Sequence, residues 1–472
     1  MFFVRLSISS FSVRVSCYTG TLSNPKALEN NLILWYSLFF CKNEDYLYIH
    51  YLLIGQTLDM KSIQQPTIAV YTGEGSSHSW TWFADIFERK YIYTVMFLDE
   101  GDIASGALDG VDVLFISGGD TFAIAAALGS QGAQALERFL LGGGTYIGAC
   151  AGAYLLLQSS LEPLHYFNFV QAKIANLTSS LPPALQRPEK YCTAYGCRYV
   201  YHPVRGEVVM QYGAGSGSQT VEQLIAPLYG GSAMLASDDI EVLGTYADFN
   251  DQTEFLVEES IARETLFGNV AAARKSYGRG TIYLFGPHYE HPDYPEANQV
   301  IFDCIAGANI GARRESACDY DFPTASRVLF RRFMAAVSNA RIVGLALERS
   351  AYQWLIGAKV YDPEKIRVFL ETIWKRARVL EQRGLYCHCN LAEVEQLTDM
   401  LRHITVCLRD LRRDAACGRA EELFRDLRRS AASFVGMYFF ALRACEQTLD
   451  PVSFPGTVPS ITESLPAAHY SS

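Results

Sequence analysis

Cys150 stands in the run Gly148-Ala149-Cys150-Ala151-Gly152. A thiol in such a run can act as a nucleophile where a strand hands it to a sharp turn before a helix. The backbone there is strained and neighbouring elements approach closely. Glycine is therefore needed two residues before and two after, as in the G-x-S-x-G elbows that present a serine. A helix beginning after the turn would set its N-terminal N–H groups and positive dipole end near the sulfur, favouring thiolate over thiol. That preference matters because an ordinary thiol, with a pKa of about 8.5, is only a few per cent ionised at pH 7.

A thiolate that cleaves amides also needs an acid for the leaving amine, a contribution of typically ~10²–10⁴-fold. His288 follows the apolar run 281–285 and Gly286-Pro287, so it is expected at the C-terminal edge of a sheet, where open α/β folds bind ligands. Glu290, two residues on, falls on the same side of an extended chain and can accept the imidazole N–H, fixing its tautomer. Donors for a developing oxyanion are typically worth ~10²–10³ each in kcat. The backbone N–H groups of Gly119 and Ala151 are the candidates, since Gly118-Gly119 also ends an apolar run.

Each piece alone has a plainer explanation. A G-x-C-x-G string can be a packing turn around an inert cysteine, a single histidine is commonly structural, and Gly-Gly often follows a strand. Their order distinguishes this chain: Gly-Gly after one strand, cysteine at the turn after the next, and His-x-Glu after a later one.

The elements that would position these groups are readable. Residues 67–72 read as a buried strand closed by Gly73-Glu74-Gly75, 79–89 as a helix and 92–98 as a β-type run. Residues 111–117 are apolar on both faces, as a central parallel strand requires. Residues 122–141 form an Ala- and Leu-rich helical stretch, 144–149 the strand leading into Cys150, and 152–158 the start of another helix. This alternation predicts a parallel sheet with crossover helices. Across 160–240, Pro182-Pro183 and the glycines from 213 to 217 mark loops between β-type pieces at 198–201 and 207–212, an inserted section that shapes the pocket. Strands resume at 241–246, and 269–275 with 281–285 read as a hairpin.

From about Pro323 the apolar period changes from 2 to 3.6. Asp362 with Pro363 opens a helix whose apolar face runs from Ile366 to Leu380. Asn390 with Glu393 resembles a capping box, and a further stripe runs from Leu423 to Leu442. A small antiparallel helical bundle is expected. The domain reading is an N-terminal extension over 1–60, an α/β domain over 66–310, a helical domain over 322–450 and a disordered tail over 451–472.

Composition bounds the rest. With 472 residues, 49% hydrophobic and 19% charged, the chain has ample material for an ordered core. Net charge is −10, divided as about −14 over 1–310 and about +4 over 311–472. The basic excess lacks interleaved aromatics or a reader motif, so nucleic-acid binding is not expected. Twelve scattered cysteines do not form a disulfide framework, which suggests reduced thiols and a cytoplasmic protein. Cys192 with Cys197, and Cys387 with Cys389, invite a zinc reading. Neither has a second ligand pair at finger spacing, so ordinary thiols are expected there, and no metal or cofactor. No run reaches the ~20 apolar residues of a membrane span, and 1–60 lacks the order of a signal peptide. Met60, followed by Lys61 and the first convincing strand, is the expected start of translation.

The runs Gly118-Gly119-Asp120, Gly148 to Gly152 and Gly286-Pro287-His288-Tyr289-Glu290-His291-Pro292 resemble the class I glutamine amidotransferase superfamily, which has a flavodoxin-like α/β domain. Within it they are most similar to the domain found at the N-terminus of some biotin–protein ligases and as a separate protein in microbes. The opening run Val70 to Ser76 is similar to that domain's first strand and loop. The resemblance covers roughly residues 66–305. It implies Cys150 as nucleophile, His288 as acid and base, and Glu290 as the orienting carboxylate. Tyr289 departs from the pattern, standing where such amidotransferases usually place proline, and makes His291 a rival base. No Gly-Arg-Gly-Arg stretch of a ligase catalytic domain occurs, so biotin transfer is not implied. The expectation is a cysteine-dependent hydrolase or amidotransferase-like protein acting on a small amide or peptide-like substrate. The alternatives are a non-catalytic ligand-binding or regulatory module, which has no need of the His-x-Glu pair, and a thiol-based sensor. For the helical domain, a pocket lid, a dimer surface and a partner dock stay open.

Overall fold

The computed structural model describes residues 3–9, 12–18, 65–180, 199–213, 222–310, 322–350, 352–357 and 359–448. The chain divides into two units, Met1–Ile63 and Gln64–Ser472. In the first, β1 (Phe3–Ser9) and β2 (Ser12–Tyr18) pair as an antiparallel hairpin. The tail 451–472, Cys192, Cys197, Pro182-Pro183, Gly215 and Gly217 lie outside the described residues.

The second unit opens with β3 (Ile68–Tyr71), α1 (Trp80–Arg89), β4 (Val95–Leu98) and α2 (Glu100–Ala104). Next come β5 (Val113–Ile116), α3 (Thr121–Gly142), β6 (Thr145–Ala149) and the short α4 (Ala151–Leu155). Further along are β7 (Val204–Tyr212), β8 (Glu222–Leu228), β9 (Glu241–Asp248), β10 (Thr253–Phe255), α5 (Glu259–Leu266), β11 (Val270–Tyr277), β12 (Gly280–Phe285) and α6 (Pro295–Ala306).

These strands form one ten-stranded sheet in the order β10-β7-β9-β11-β12-β6-β5-β3-β4, with β8 on β7. Strands β12, β6, β5, β3 and β4 run parallel to one another. The sheet as a whole is mixed, because β11, β9, β7, β8 and β10 extend it antiparallel. Short links suffice between antiparallel strands, whereas each parallel step needs a crossover, so the insertion grows the sheet from the β12 side.

Alternation along the central strands feeds two cores. Ile68 and Val70 with Val113 and Phe115 face α1, whereas Ala69 and Tyr71 with Leu114 and Ile116 face α3 and α4. That explains why these strands read as apolar throughout. The helix expected over 122–141 is interrupted at Gly129, which sits at φ 55°, ψ −162°.

The C-terminal region contains α7 (Arg327–Glu348), a two-stranded ribbon of β13 (Trp354–Ile356) and β14 (Lys359–Tyr361), α8 (Pro363–Arg383), α9 (Leu391–Arg413) and α10 (Ala420–Thr448). Asp362 caps α8 by accepting from Lys365 N, and Asn390 caps α9 by accepting from Ala392 N and Glu393 N. Helix α7 packs on α8 and α9, and α10 packs on both of those. This layer shares one core with the α1 face of the sheet: Trp80 lies 6.3 Å from Phe369 between ring centroids, and Phe97 5.7 Å from Phe439. No helix among the described residues is long and apolar enough to cross a membrane.

A charge cluster fastens the same contact. Arg376 of α8 is fully buried, with Nη2 2.7 Å from Asp85 Oδ1 and 3.1 Å from Glu88 Oε2 of α1. Removing one partner of a buried pair strands the others without compensation, at a typical cost of ~3–5 kcal/mol. Arg376→Ala is therefore expected to lower the unfolding free energy by about 3 kcal/mol in a denaturant titration; a loss below about 1 kcal/mol would show that this contact is not a principal tie between the layers.

Candidate active site

Strand β6 ends at Ala149, and Cys150 turns the chain at φ 52°, ψ −107° before α4 begins. Cys150 and Tyr91 are the non-glycine residues with positive φ among the described ones. Tyr91 is 63% exposed, whereas Cys150 is 2% exposed. A buried side chain held in such a conformation typically stores ~1–3 kcal/mol, which the surrounding packing must supply.

That packing depends on the two flanking glycines. A Cβ on Gly148 would lie 2.5 Å from Gly152 O, and one on Gly152 would drive into Ile116 O of β5. Gly152 N also donates to Ser117 O, at 3.2 Å, so the turn is bonded to the end of the neighbouring strand. Gly152→Ala is expected to cost about 2 kcal/mol by overpacking and to slow alkylation of Cys150 in the folded protein, measured by denaturant titration and thiol-labelling kinetics. An alanine variant of unchanged stability and reactivity would contradict this account of the turn.

His288 and Glu290 follow β12, the parallel neighbour of β6. Both are buried, at 3% and 0% exposure. His288 Nδ1 lies 2.7 Å from Glu290 Oε1, which also accepts the Ser117 hydroxyl at 2.8 Å. Ser117 Oγ is in turn 2.7 Å from Ser79 Oγ, and Ser79 Oγ 3.0 Å from Ser77 Oγ, so a line of hydroxyls stands behind the carboxylate. With Nδ1 occupied by Glu290, Nε2 is the imidazole atom left for another partner. The His288 imidazole stands near enough to Cys150 for its charge to act on the thiol. Gly118 makes room for the ring, since a Cβ there would sit 2.8 Å from His288 Cε1. Trp82 closes the other side at 5.3 Å, edge to face.

The rival base is placed differently. His291 packs on Trp82 at 4.5 Å, and its Nδ1 lies 4.0 Å from Asp293 Oδ2. Tyr289, at the position that departs from the proline pattern, is fully buried, stacks on Phe285 at 4.5 Å and donates to Met210 Sδ at 3.2 Å. It anchors the turn in the core between the two histidines.

Burial alone would raise the Cys150 thiol pKa, but the nearby His288 charge, with a smaller contribution from Lys359, brings it below the ordinary value. Burial pulls His288 downward, and the Glu290 and Cys150 charges outweigh it, leaving the imidazole raised. Both shifts favour a thiolate–imidazolium pair. Helix α4 has only five residues, so its dipole contributes less than the sequence led us to expect.

The two residues named from the sequence as backbone donors line the same cavity. Gly119 lies beside Ser76 in an isolated bridge, where Ser77 N donates to Gly118 O and Asp120 N to Gly75 O. Cys150 N donates to Phe285 O and Gly152 N to Ser117 O. Gly119 N and Ala151 N, set between these bonded neighbours, donate to no protein acceptor among the described residues. Gly119, Cys150 and Ala151 all line a cavity of about 800 Å³. Its walls are largely apolar, with Leu157, Leu161, Leu164 and Ile174, and it also exposes the polar groups of Lys173, His202 and Lys359. A space of this size accommodates a small molecule or a short peptide segment.

Three contributors escaped the sequence reading. Ser117 follows β5 directly before Gly118-Gly119, a position that could have signalled it. His202 is buried in the cavity wall, and burial with the Lys359 charge lowers its pKa to about 3, so it presents a neutral ring. Lys359, from the ribbon of the C-terminal region, donates to Gly119 O at 2.9 Å and gives no local sequence signal.

No family model matches the chain, and no curated protein matches it. Among solved structures it is similar to a beta-galactosidase from Bacillus circulans sp. alkalophilus, with 13% identity and a TM-score of 0.28 over 51% of this chain and 31% of that one. A cytoplasmic protein from Salmonella typhimurium LT2 gives 13% identity and a TM-score of 0.28 over 51% of this chain and 97% of that one. The mmIFT52 N-terminal domain gives 12% and 0.30 over 52% and 99%. The chain thus spans under a third of the galactosidase's length, and at these TM-scores the likenesses bear on neither fold nor function.

Proposed function

We propose that the chain is a cysteine-dependent amide hydrolase or amidotransferase-like enzyme that forms a thioester at Cys150. The finer fold reading belongs with this proposal: a flavodoxin-like domain of the class I glutamine amidotransferase type, resembling the N-terminal domain of biotin–protein ligases. The observation that carries it is a cysteine held at positive φ whose thiol pKa is lowered by the buried His288, with His288 Nδ1 in turn 2.7 Å from Glu290 Oε1. An inert packing turn has no physical need for a buried imidazole and carboxylate aimed at its thiol.

In the proposed reaction the Cys150 thiolate attacks the carbonyl carbon of a small amide or peptide-like substrate, and the C=O electron pair moves to oxygen. Gly119 N–H and Ala151 N–H donate to that oxyanion. His288, protonated, gives its proton to the leaving nitrogen as the C–N bond breaks, releasing ammonia or an amine and leaving a thioester on Cys150. Water then loses a proton to His288 and attacks the thioester, and the thiolate departs with the carboxylic acid as product. Glu290 holds the imidazole in the tautomer that directs Nε2 at sulfur and stabilises its charged form. Acid-quenched mixtures of the full chain with glutamine, small amides and short peptides, read by peptide mass spectrometry, test the proposal. An acyl increment on the Cys150 peptide is expected. Amine release without any such increment, or unchanged by Cys150→Ser, would set it aside.

A further inference from the structure

Helices α9 and α10 face each other across the turn 414–419, and at that contact four ligand-type side chains converge, two from each helix at i and i+4. His403 and Cys407 come from α9, and Glu422 and Asp426 from α10. His403 Nε2 lies 3.5 Å from Cys407 Sγ, 2.9 Å from Glu422 Oε1 and 3.7 Å from Asp426 Oδ2. The donor atoms of His403, Cys407 and Glu422 all fall within 4.8 Å of one another. Tetrahedral zinc, with bonds of about 2.0–2.3 Å to nitrogen, oxygen and sulfur, sets its ligands roughly 3.3–3.7 Å apart. The His403–Cys407 and His403–Asp426 spacings fall in that range, the His403–Glu422 pair is shorter, and Cys407 and Glu422 lie within 4.8 Å of each other, so an ion would have to part His403 from Glu422 and draw Asp426 in. Residues four apart on a helix share a face, so two such pairs can present four ligands without distorting either backbone.

The outer partners support the same orientation. Arg419 Nε holds Glu422 Oε2 at 3.1 Å, and Arg425 Nε lies 3.7 Å from Asp426 Oδ1. Each carboxylate thereby turns its other oxygen toward His403, as second-layer groups around metals commonly do. Cys407 is fully buried and Asp426 nearly so, while the His403 side chain is 42% exposed, which leaves an entry path for an ion. A thiolate, an imidazole and two carboxylates form a mixed donor set that suits zinc better than calcium or magnesium.

We propose that His403, Cys407, Glu422 and Asp426 form a four-ligand zinc site that clips α9 to α10. With four protein ligands the shell is closed, so its role is structural rather than catalytic. Helix α10 also carries Arg428 to Glu74 and Tyr438 to Glu88 of the α/β layer, so a clip on α10 steadies the element that ties the two layers together.

The test uses the full chain after chelation, titrated with Co²⁺ alone and then back-titrated with Zn²⁺. A sulfur-to-cobalt charge-transfer band that one equivalent of Zn²⁺ bleaches is expected in the wild type, in Cys150→Ala and in Cys387→Ala, and its loss is expected in Cys407→Ala. Glu422→Gln, at a partly exposed position that leaves the core untouched, is expected to weaken Zn²⁺ binding at least about tenfold with an unchanged circular dichroism spectrum. The melting temperature should rise with Zn²⁺ in the wild type and not in Cys407→Ala. A folded wild type without the band, a band retained in Cys407→Ala, or a band that vanishes in Cys150→Ala would each overturn the proposal.

Discussion

Cys150→Ser is expected to reduce amide turnover by ~10³-fold or more while leaving the fold in place, because the oxygen nucleophile is poorly ionised where the thiol is held as thiolate. The side chains are nearly isosteric, so the strained turn, the flanking glycines and the cavity walls need not move. Circular dichroism and the melting temperature should match the wild type, which separates loss of chemistry from loss of structure. A serine variant that keeps more than about a tenth of the activity would mean that another group performs the attack.

His288→Ala is expected to act in two ways. As a lost acid and base it should lower turnover by ~10²–10⁴-fold. It should also change the thiol itself, in a direction fixed by the site. In the wild type the imidazole brings the Cys150 pKa below its ordinary value against the opposing effect of burial. Without the imidazole burial dominates and the pKa rises above that value. Alkylation of Cys150 by a neutral reagent should therefore stay fast in the wild type as the pH falls below the ordinary thiol range near 8.5, and be lost only at lower pH. In His288→Ala the same limb should lie above about 8.5. Rate against pH, followed by mass spectrometry of the Cys150 peptide, reads both limbs. Coincident limbs would show that His288 does not set the state of the thiol, and a shift in His291→Ala instead would move the base to that residue.

Much of the site was legible because its constraints are local. Gly148 and Gly152 are demanded by close approaches one element away, and apolar runs such as 111–117 carry the mark of strands buried on both faces. What was not legible acts over long sequence separations or hides behind a local breaker. Lys359 reaches Gly119 across the whole α/β domain, and nothing around it in sequence distinguishes it from a solvated lysine. Strand β8 contains Pro227, which reads as a breaker, yet it lies at the sheet edge where a missing N–H is tolerated. The expected parallel sheet became a mixed one because the direction of β7, β9 and β11 is set by their partners and not by their own composition. The short α4 likewise depends on its surroundings: past Leu155 the chain is drawn off by the bridge of Leu157 to Val170. The apolar stripes of α8 and α10 were readable as faces, but their cover, the α1 side of the sheet, could not be read from periodicity.

The central claim is that Cys150 is a nucleophile activated by His288. It is tested most directly by treating the folded full chain with a glutamine-mimicking electrophile at neutral pH and mapping the modified peptides. The account predicts rapid modification of Cys150 ahead of the exposed thiols Cys387 and Cys417, strongly slowed in His288→Ala. Modification that passes over Cys150, or proceeds equally fast without His288, would contradict it and leave the Gly148 to Gly152 turn as a feature of packing alone.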